Sequence, residues 1–336
     1  MKESTKDNDS MNRLHDEKVA IIGAGAMGCL LGGLFCRNRV NVVFVESNKE
    51  KRDALNCSGL TFVEGSLKEV FPVRVVSPET RIESVKLAVV CVKAYDTETA
   101  ARCLAERIDD EVPVLTLQNG LGNIEVLARE LGCDRVLSGT VSLGAYMASL
   151  TTVVYAGRGE IHIGEMDGQV TSRLKRFAGL FRTCGMDVRI SEDVKRLVWS
   201  KLVINAGINA LTAILRVENG VLLEISLARE LMFEAVEETL TLAQKEGVVL
   251  DVNEMRKKVR AVVEGTASNR SSMLMDTLKG VETEIANING AVAERAEALG
   301  VQAPVNKVLY YLVQAGYEAR MHDKELSTTF HQRSCQ

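Results

Sequence analysis

The first half of the chain alternates short apolar runs with stretches of helical periodicity. An apolar, largely β-branched run at residues 19–22 is followed at once by a glycine-rich turn and an apolar helical stretch at 29–36. Further apolar runs cover 41–45, 87–92 and 114–117, with helical stretches between them. Strands buried on both faces read as continuous apolar runs, and their alternation with helices is typical of a parallel sheet. The pattern therefore predicts an α/β domain, and residues 157–164 predict an edge strand that closes it, with His162 as a structural residue of that strand.

From about residue 192 the pattern changes to long helical stretches with little strand signal. Within residues 197–215 most positions are apolar, yet Lys201, Asn205 and Asn209 recur at every fourth position. At 100° per residue this spacing places the three side chains along one face, over roughly 12 Å of helix. A lysine and two carboxamides on an otherwise apolar helix predict a lined cleft. Hydrogen bonds between packed helices are the alternative interpretation.

A chain of 336 residues is long enough for two domains. We predict a disordered tail at 1–17, an α/β domain at 18–190 and a helical domain at 191–328. The net charge of −4 gives no basic surface for a nucleic-acid partner. The tail is polar and holds no apolar leader or anchor, so we expect no membrane partner.

The eight cysteines are scattered and form no CxxC pair. In a chain of this length, cysteines without metal-type spacing predict reduced thiols in the cytoplasm and no metal site.

The turn after the first strand has the glycine spacing of a dinucleotide-binding motif. Gly23 permits a tight turn, Gly25 lets the backbone approach a pyrophosphate, and Gly28 lets the helix pack closely on the strand. Ala26 and Met27 complete the turn, where unpaired N–H groups at a helix start bind phosphate oxygens.

Polar residues follow the other predicted strands. Glu46 ends the second strand, Lys93 follows the third, and Asn119-Gly120 follows the fourth. Ligands of open parallel sheets bind beyond the carboxyl ends of the strands, which makes these residues candidates for the same site. A solvated lysine and a plain turn are the alternative interpretations of Lys93 and of Asn119-Gly120.

A second polar group occurs late in the chain. Ser271 or Ser272 is placed to begin a helix, and Glu284 follows. On one unbroken helix Ser272 and Glu284 would lie about 18 Å apart, so they meet only if the helix is interrupted. Lys279-Gly280 offers a place for that interruption.

At this point the sequence resembles the ketopantoate reductases (2-dehydropantoate 2-reductases) across nearly all of residues 18–325. Seven patches occur in the order of that family, and they are GAGAMG at Gly23, VKAY around Lys93, QNGLG around Asn119, KLVINAGINALTAI from Lys201, ENG ending at Gly220, NRSSMLMD from Asn269 and TEIANINGAV around Glu284. The resemblance implies a Rossmann-type α/β domain joined to an all-α domain, with the site in the cleft between them.

The resemblance also implies roles for the candidate residues. Lys201 would be the general acid that protonates the C2 oxygen of the keto acid, and Glu284 would fix Lys201 and the substrate. Asn119 would lie beside the nicotinamide and the substrate. The implied substrate-binding residues are Asn119, Asn205, Asn209, Asn219, Asn269 and Ser272. The implied cofactor-binding residues are Gly23, Gly25, Ala26, Met27, Gly28, Glu46, Lys93 and Asn119.

The cofactor position departs from the family pattern. Members that use NADPH, the family default, commonly carry an arginine just after the second strand, where this chain has Glu46-Ser47. A carboxylate there accepts ribose hydroxyls and repels a 2′-phosphate, which favours NADH. Lys93, Lys49 and Lys51 could supply charge for NADPH, so the preference stays open, with a lean towards NADH.

Reduction of 2-dehydropantoate in pantothenate biosynthesis is the main prediction. A 2-hydroxyacid dehydrogenase that acts on other branched or bulky 2-keto acids with NADH is the enzymatic alternative. A nicotinamide-sensing regulator without turnover is the alternative of another class, and the presence of both Lys201 and Glu284 speaks against it. The sequence leaves the formation of a homodimer open.

Overall fold

The computed structural model describes residues 17–333, with side chains described up to His322. Apart from Glu17, the predicted tail at 1–17 lies outside these residues, as does Cys335. The chain forms two compact units. Unit 1 comprises the residues up to Gln118 together with Asn123–Leu197, and unit 2 comprises Asn119–Gly122 together with the residues from Val198 onward.

Unit 1 contains two sheets. Its strands are Lys18–Ile22 (β1), Asn41–Val45 (β2), Leu60–Glu64 (β3), Leu67–Phe71 (β4), Arg74–Val76 (β5), Leu87–Val90 (β6), Val114–Thr116 (β7), Val136–Val141 (β8), Gly144–Met147 (β9), Thr152–Gly157 (β10), Glu160–Glu165 (β11) and Asp187–Ile190 (β12). The larger sheet has the order β12-β11-β8-β7-β6-β1-β2-β5 and the smaller one β4-β3-β10-β9. The strand pairs from β8 through β7, β6, β1 and β2 to β5 are all parallel. The predicted α/β domain is thus confirmed, and the four apolar runs predicted as strands form β1, β2, β6 and β7.

A strand covers most of the predicted range 157–164, but the prediction that it is the edge of the sheet is wrong. A strand ends at Gly157 and another begins at Glu160, and the second, β11, pairs antiparallel with β8 and parallel with β12. The edge is therefore β12, a short strand in which polar and apolar residues alternate, which gave no apolar run to predict it from. His162 lies on β11 and shares a hydrogen bond of 3.0 Å with Glu160 of the same strand.

Helices cover both faces of the larger sheet. Those of unit 1 are Ala26–Arg37 (α1), Lys49–Ser58 (α2), Thr97–Arg107 (α3), Asn123–Leu131 (α4) and Ser172–Thr183 (α5). Alternate residues of each central strand belong to two separate cores. Ile21 packs with the apolar residues of α1 and α5, whereas Ile22 packs with those of α3 and α4. This is the three-layer arrangement that a doubly wound sheet requires.

Unit 2 is helical. Its elements are Val194–Leu215 (α6, which begins in unit 1), Val221–Glu224 (α7), Ser226–Lys245 (α8), Val252–Gly265 (α9), Ser272–Lys279 (α10), Asn289–Ala298 (α11) and Pro304–Arg333 (α12). The core of this unit surrounds α6, whose Leu202, Val203 and Ala206 are almost completely buried. By length and composition α6 could cross a membrane, but 67% of its most apolar window is buried, as in the core helix of a globular domain. The predicted all-α second domain is confirmed.

Candidate active site

The glycine turn after β1 leaves no room for side chains at two of its positions. Gly23 has φ +97°, and a Cβ there would lie 2.9 Å from the backbone nitrogen of Val92. A Cβ on Gly28 would lie 2.0 Å from the carbonyl oxygen of Gly23. Only glycine fits these contacts, which explains how the turn packs against the segment after β6.

Gly25 differs from the other two glycines because space is open in front of it. The nearest atom to a Cβ at Gly25 would be the carbonyl oxygen of Cys91, at 4.0 Å. Gly25 is also the N-cap of α1, and no side chain caps this helix. The N–H groups at the start of α1, which carries Ala26 and Met27, thus lie beside an open space, an arrangement that fits a pyrophosphate. The turn lies where the strand order reverses between β1 and β6.

The Glu46 carboxylate lies against this turn. One oxygen accepts the N–H of Ala24 at 3.1 Å, and the other accepts the N–H of Asn48 at 2.9 Å. A second carboxylate is close, because burial and then the charge of Glu46 raise the pKa of Asp96. Asp96 ends a short 3₁₀ helix, Ala94–Asp96, which begins directly after Lys93.

The cations near the end of β2 are largely engaged. Lys49 pairs with Asp53 at 3.2 Å and is mostly exposed. Arg52 donates from Nη1 to the carbonyl oxygens of Glu46 and Ser47, at 2.9 and 2.6 Å. Neither Asp96 nor Arg52 was predicted from the sequence, and the available signal for Asp96 was its position shortly after Lys93, beyond the end of the third predicted strand.

The polar stripe of Lys201, Asn205 and Asn209 lies on one continuous helix, α6, in the part of that helix that belongs to unit 2. Lys201 is partly buried, and burial lowers its pKa to about 8 against the opposing charge of Glu284. Asn205 is partly buried and Asn209 is buried. Within residues 17–322 the carboxamides of Asn205 and Asn209 have no hydrogen-bond partner, which favours a ligand-lined cleft over bonds between packed helices.

Glu284 is brought to Lys201 by the interruption of a helix. α10 ends at Lys279, and Gly280 adopts the left-handed conformation with φ +67°, which confirms the predicted break. Glu284 then precedes the 3₁₀ turn Ile285–Asn287 and is buried. Its Oε2 accepts a hydrogen bond of 3.2 Å from Nδ2 of Asn119. Unit 2 thus brings together Lys201, Glu284 and Asn119, from three distant parts of the sequence.

The two adjacent serines have different environments. Ser271 is buried, caps α10 by accepting the N–H of Leu274 at 3.0 Å, and lies 2.7 Å from the hydroxyl of Thr212. Ser272 is the first residue of the helix and is exposed, so its hydroxyl is not used as the cap.

Asn219 carries a buried acceptor and is hydrogen-bonded to Asn269, which precedes these serines in the chain. Its N–H donates to the carbonyl oxygen of Asn269 at 3.0 Å, and its Nδ2 donates to Thr266 at 2.9 Å. Asn269 itself is exposed. Among the described residues the buried Oδ1 of Asn219 has no hydrogen-bond partner. Such an oxygen is costly unless a donor reaches it.

The sequence did not predict Asn287. Its backbone oxygen accepts the N–H of Leu121 at 2.9 Å, and its Nδ2 donates to the oxygen of Leu121 at 3.3 Å. The one available signal was its position three residues after Glu284, on the same turn.

The sequence profile described as ketopantoate reductase PanE/ApbA matches residues 19–168, and the profile of the C-terminal part of the same family matches residues 193–318. A 2-dehydropantoate 2-reductase of Archaeoglobus fulgidus is 38% identical over 301 residues, which cover 89% of this chain and 97% of the relative.

Solved structures are similar over almost the whole chain. The crystal structure of a PanE/ApbA family ketopantoate reductase from Ralstonia eutropha is 31% identical, with a TM-score of 0.84, and the match covers 91% of this chain and 100% of that one. A D-mandelate dehydrogenase with NADH and anilino(oxo)acetate has a TM-score of 0.86 at 24% identity, and the match covers 90% and 99% of the two chains. At that identity the likeness shows the fold alone.

Proposed function

Because this chain belongs to the ketopantoate reductase PanE/ApbA family, we propose that it reduces 2-dehydropantoate to (R)-pantoate with a nicotinamide cofactor, in pantothenate biosynthesis. The observation that carries the proposal is the partly buried Lys201 next to Glu284, which Asn119 holds by a hydrogen bond. The 2-hydroxyacid dehydrogenase alternative has no comparable support, since its solved relative shows the fold alone.

In this proposal Lys201 is the general acid. When bound, the cofactor supplies a hydride to C2 of the keto acid, and the C2 carbonyl becomes an alkoxide. The Lys201 ammonium donates its proton to that oxygen, and its positive charge stabilises the oxygen before the proton moves. A pKa of about 8 suits this role, because the ammonium form is populated at neutral pH and releases its proton more readily than an ordinary lysine.

Glu284 has two roles in this proposal. Its negative charge raises the pKa of Lys201 against the effect of burial and so keeps the acid protonated. Its carboxylate, fixed by Asn119, also orients the Lys201 side chain and the substrate. Asn119 would in addition contact the nicotinamide.

The substrate would be held by polar groups that the fold leaves available. Ser272 and Asn269 are exposed and would bind its carboxylate and hydroxyl, and the carboxamides of Asn205 and Asn209 would line the pocket. The buried Oδ1 of Asn219 needs a donor, and a hydroxyl of the substrate would supply it.

For the cofactor we propose a preference for NADH. The pyrophosphate would lie on the N–H groups at the start of α1, in the space in front of Gly25. Lys93 would lie beside it. The other residues of the turn are Gly23, Ala26, Met27 and Gly28. Glu46 would accept the ribose hydroxyls. Asp96 is close enough to Glu46 for that charge to raise its pKa after burial, and two carboxylates in one region oppose a 2′-phosphate.

We propose that residues 18–190 form the cofactor domain, that 191–328 form the substrate and catalytic domain, and that the protein works in the cytoplasm. The scattered spacing of the cysteines, which form no CxxC pair, supports the proposal of a reducing compartment.

A spectrophotometric panel tests the proposed function. 2-Dehydropantoate and several branched 2-keto acids are each supplied with NADH and with NADPH, and oxidation of the cofactor is followed. We expect the highest kcat/KM with 2-dehydropantoate. A tenfold higher kcat/KM with another keto acid, about 1.4 kcal/mol in transition-state binding, would assign this chain to the dehydrogenase alternative.

A further inference from the structure

The tetrapeptide Asn119–Gly122 packs on the turn that follows Glu284. Both polar backbone groups of Leu121 are bonded to Asn287: its N–H donates to the Asn287 oxygen at 2.9 Å, and its oxygen accepts Nδ2 at 3.3 Å. The tetrapeptide leaves β7 and returns to α4, yet it belongs to the compact unit that holds Glu284. Asn287 thus holds the tetrapeptide by two bonds.

Gly120 makes this packing possible. A Cβ at Gly120 would lie 2.4 Å from the backbone oxygen of Asn287 and 2.9 Å from its Cβ. Real Cβ atoms do not approach backbone atoms so closely, so any side chain at position 120 would force the tetrapeptide away from the turn. Gly122 provides a contrast, because its φ of +92° is as unfavourable for other residues as the +82° of Gly120, yet its Cβ would meet only Nδ2 of Asn287, at 3.9 Å.

The distance between the tetrapeptide and the turn bears directly on Glu284. The carbonyl oxygen of Glu284 accepts the N–H groups of Asn287 and Ile288, both at 3.1 Å, so Glu284 and Asn287 belong to one rigid turn. Asn119 precedes Gly120 and donates to the Glu284 carboxylate at 3.2 Å. Gly120 packs on that same turn. Its contact with Asn287 therefore sets the distance between Nδ2 of Asn119 and the Glu284 carboxylate.

We propose that Gly120 and Asn287 form a positioning pair: their contact seats the tetrapeptide so that Asn119 holds the Glu284 carboxylate towards Lys201. This inference rests on the proposed function. Neither residue is assigned a contact with substrate or cofactor. They act through Asn119, and Asn119 acts on the acid through Glu284.

The consequence for the reaction follows from the charge of Glu284. Its carboxylate raises the pKa of Lys201, while burial lowers it. If the tetrapeptide moves away, Asn119 no longer fixes the carboxylate, and the field of Glu284 at Lys201 weakens. The pKa of Lys201 then falls, and less ammonium is available as the acid at a given pH.

The matched substitutions Gly120→Ala and Gly122→Ala test the pair, because both add one methyl group at a left-handed position and only the first clashes with the backbone of Asn287. For Gly120→Ala we expect kcat to fall roughly tenfold to a hundredfold, the scale of a misplacement of about 1 Å in an active site. The Kd for the cofactor should change less than kcat, because most of the proposed cofactor contacts lie in the glycine turn. We also expect the alkaline limb of the kcat profile to move to lower pH by about half a unit.

Gly122→Ala should keep kcat within about threefold of the wild type, since it adds backbone strain alone. Equal losses of kcat in the two variants would overturn the proposal.

A double-mutant cycle tests whether the pair acts through Asn119. In an Asn119→Ala background, Gly120→Ala should reduce kcat by less than about threefold further, because the hydrogen bond that it disturbs is already gone. Full additivity of the two losses would contradict the proposed route. If Gly120→Ala does not fold, Asn287→Ala replaces it: this change removes one hydrogen bond and keeps the turn, and it should move the alkaline limb in the same direction. An unmoved limb in that variant would also overturn the proposal.

A readout that needs no turnover separates this inference from the proposed function. The pH dependence of Lys201 acetylation by acetic anhydride, followed by mass spectrometry, reports the pKa of Lys201 directly. We expect a midpoint near 8 in the wild type and a lower midpoint in Gly120→Ala but not in Gly122→Ala. If the wild type fails to reduce 2-dehydropantoate, the proposed function is wrong while this comparison still decides the positioning role. Identical midpoints in all three proteins would refute that role even in an active enzyme.

Discussion

The side-chain amide of Asn119 donates a hydrogen bond to the carboxylate of Glu284 at 3.2 Å, although 165 positions of sequence separate the two residues. This bond fixes the group whose charge opposes the effect of burial on Lys201. The strength of the proposed acid therefore depends on three segments of the chain, and substitutions in each should have distinguishable effects.

Replacement of Lys201 by alanine should lower kcat by at least about a hundredfold, the lower range for a positioned general acid. The Kd for the cofactor should stay nearly unchanged, because the cofactor contacts are proposed on other residues, most of them in the glycine turn. In the wild type kcat should decline as the pH rises through about 8, since the acid acts only in its protonated form. Steady-state kinetics across pH and cofactor titrations measure these effects.

Lys258, which donates to Ser200 at 2.9 Å, offers a control, and Lys258→Ala should retain turnover. Retained turnover in Lys201→Ala would remove this residue from the mechanism.

Gly25→Ala and Gly28→Ala should affect different properties, the first cofactor binding and the second the stability of the fold. Gly25 has an ordinary φ of −69° and open space in front of it, so Gly25→Ala should keep the melting temperature and weaken cofactor binding, because the methyl group occupies the space proposed for the pyrophosphate. Gly28→Ala would place its methyl group 2.0 Å from the Gly23 oxygen, and we expect a loss of about 1–3 kcal/mol in the free energy of unfolding. Thermal unfolding and fluorescence titration with NADH measure both properties. Unchanged cofactor affinity in Gly25→Ala would argue against the proposed pyrophosphate position.

The two adjacent serines should separate binding from stability. Ser272→Ala should raise KM for the keto acid by the equivalent of roughly 1–3 kcal/mol, the scale of a hydrogen bond to a charged group, with little change in stability. Ser271→Ala removes the cap of α10 and should lower the free energy of unfolding by about 1–2 kcal/mol. Kinetics and urea unfolding of both variants provide the comparison. A normal KM in Ser272→Ala would exclude its hydroxyl from substrate binding.

The cofactor preference should depend on the charge at position 46. The wild type should have the higher kcat/KM with NADH. Glu46→Gln keeps an acceptor near Ala24 and removes the charge, so it should improve the use of NADPH, whereas Glu46→Ala should also weaken NADH. Addition of Ser47→Arg to Glu46→Ala should shift the preference further, because a guanidinium pairs with phosphate through two hydrogen bonds. Measurement of kcat/KM for both cofactors in all four proteins decides the question. A wild-type preference for NADPH of tenfold or more, about 1.4 kcal/mol, would contradict the assignment to NADH.

The sequence by itself determined the features that depend on near neighbours. The strand, glycine turn and helix from β1 to α1 follow from an apolar run and from positions where no side chain fits, and both are local properties. The stripe of Lys201, Asn205 and Asn209 follows from the period of the helix. The break after α10 was marked by Gly280, because glycine readily adopts the left-handed conformation found there.

Tertiary structure alone decided the features that depend on distant parts of the chain. The edge strand β12 gave no apolar run, and its pairing with β11 provides most of the evidence that it is a strand. The choice of Ser271 over Ser272 as the helix cap depended on a backbone conformation that differs between adjacent residues, which composition does not encode. The contacts of Asn119 and Asn287 join segments far apart in sequence, so they exist only once the core around α6 has packed and fixed both segments in space.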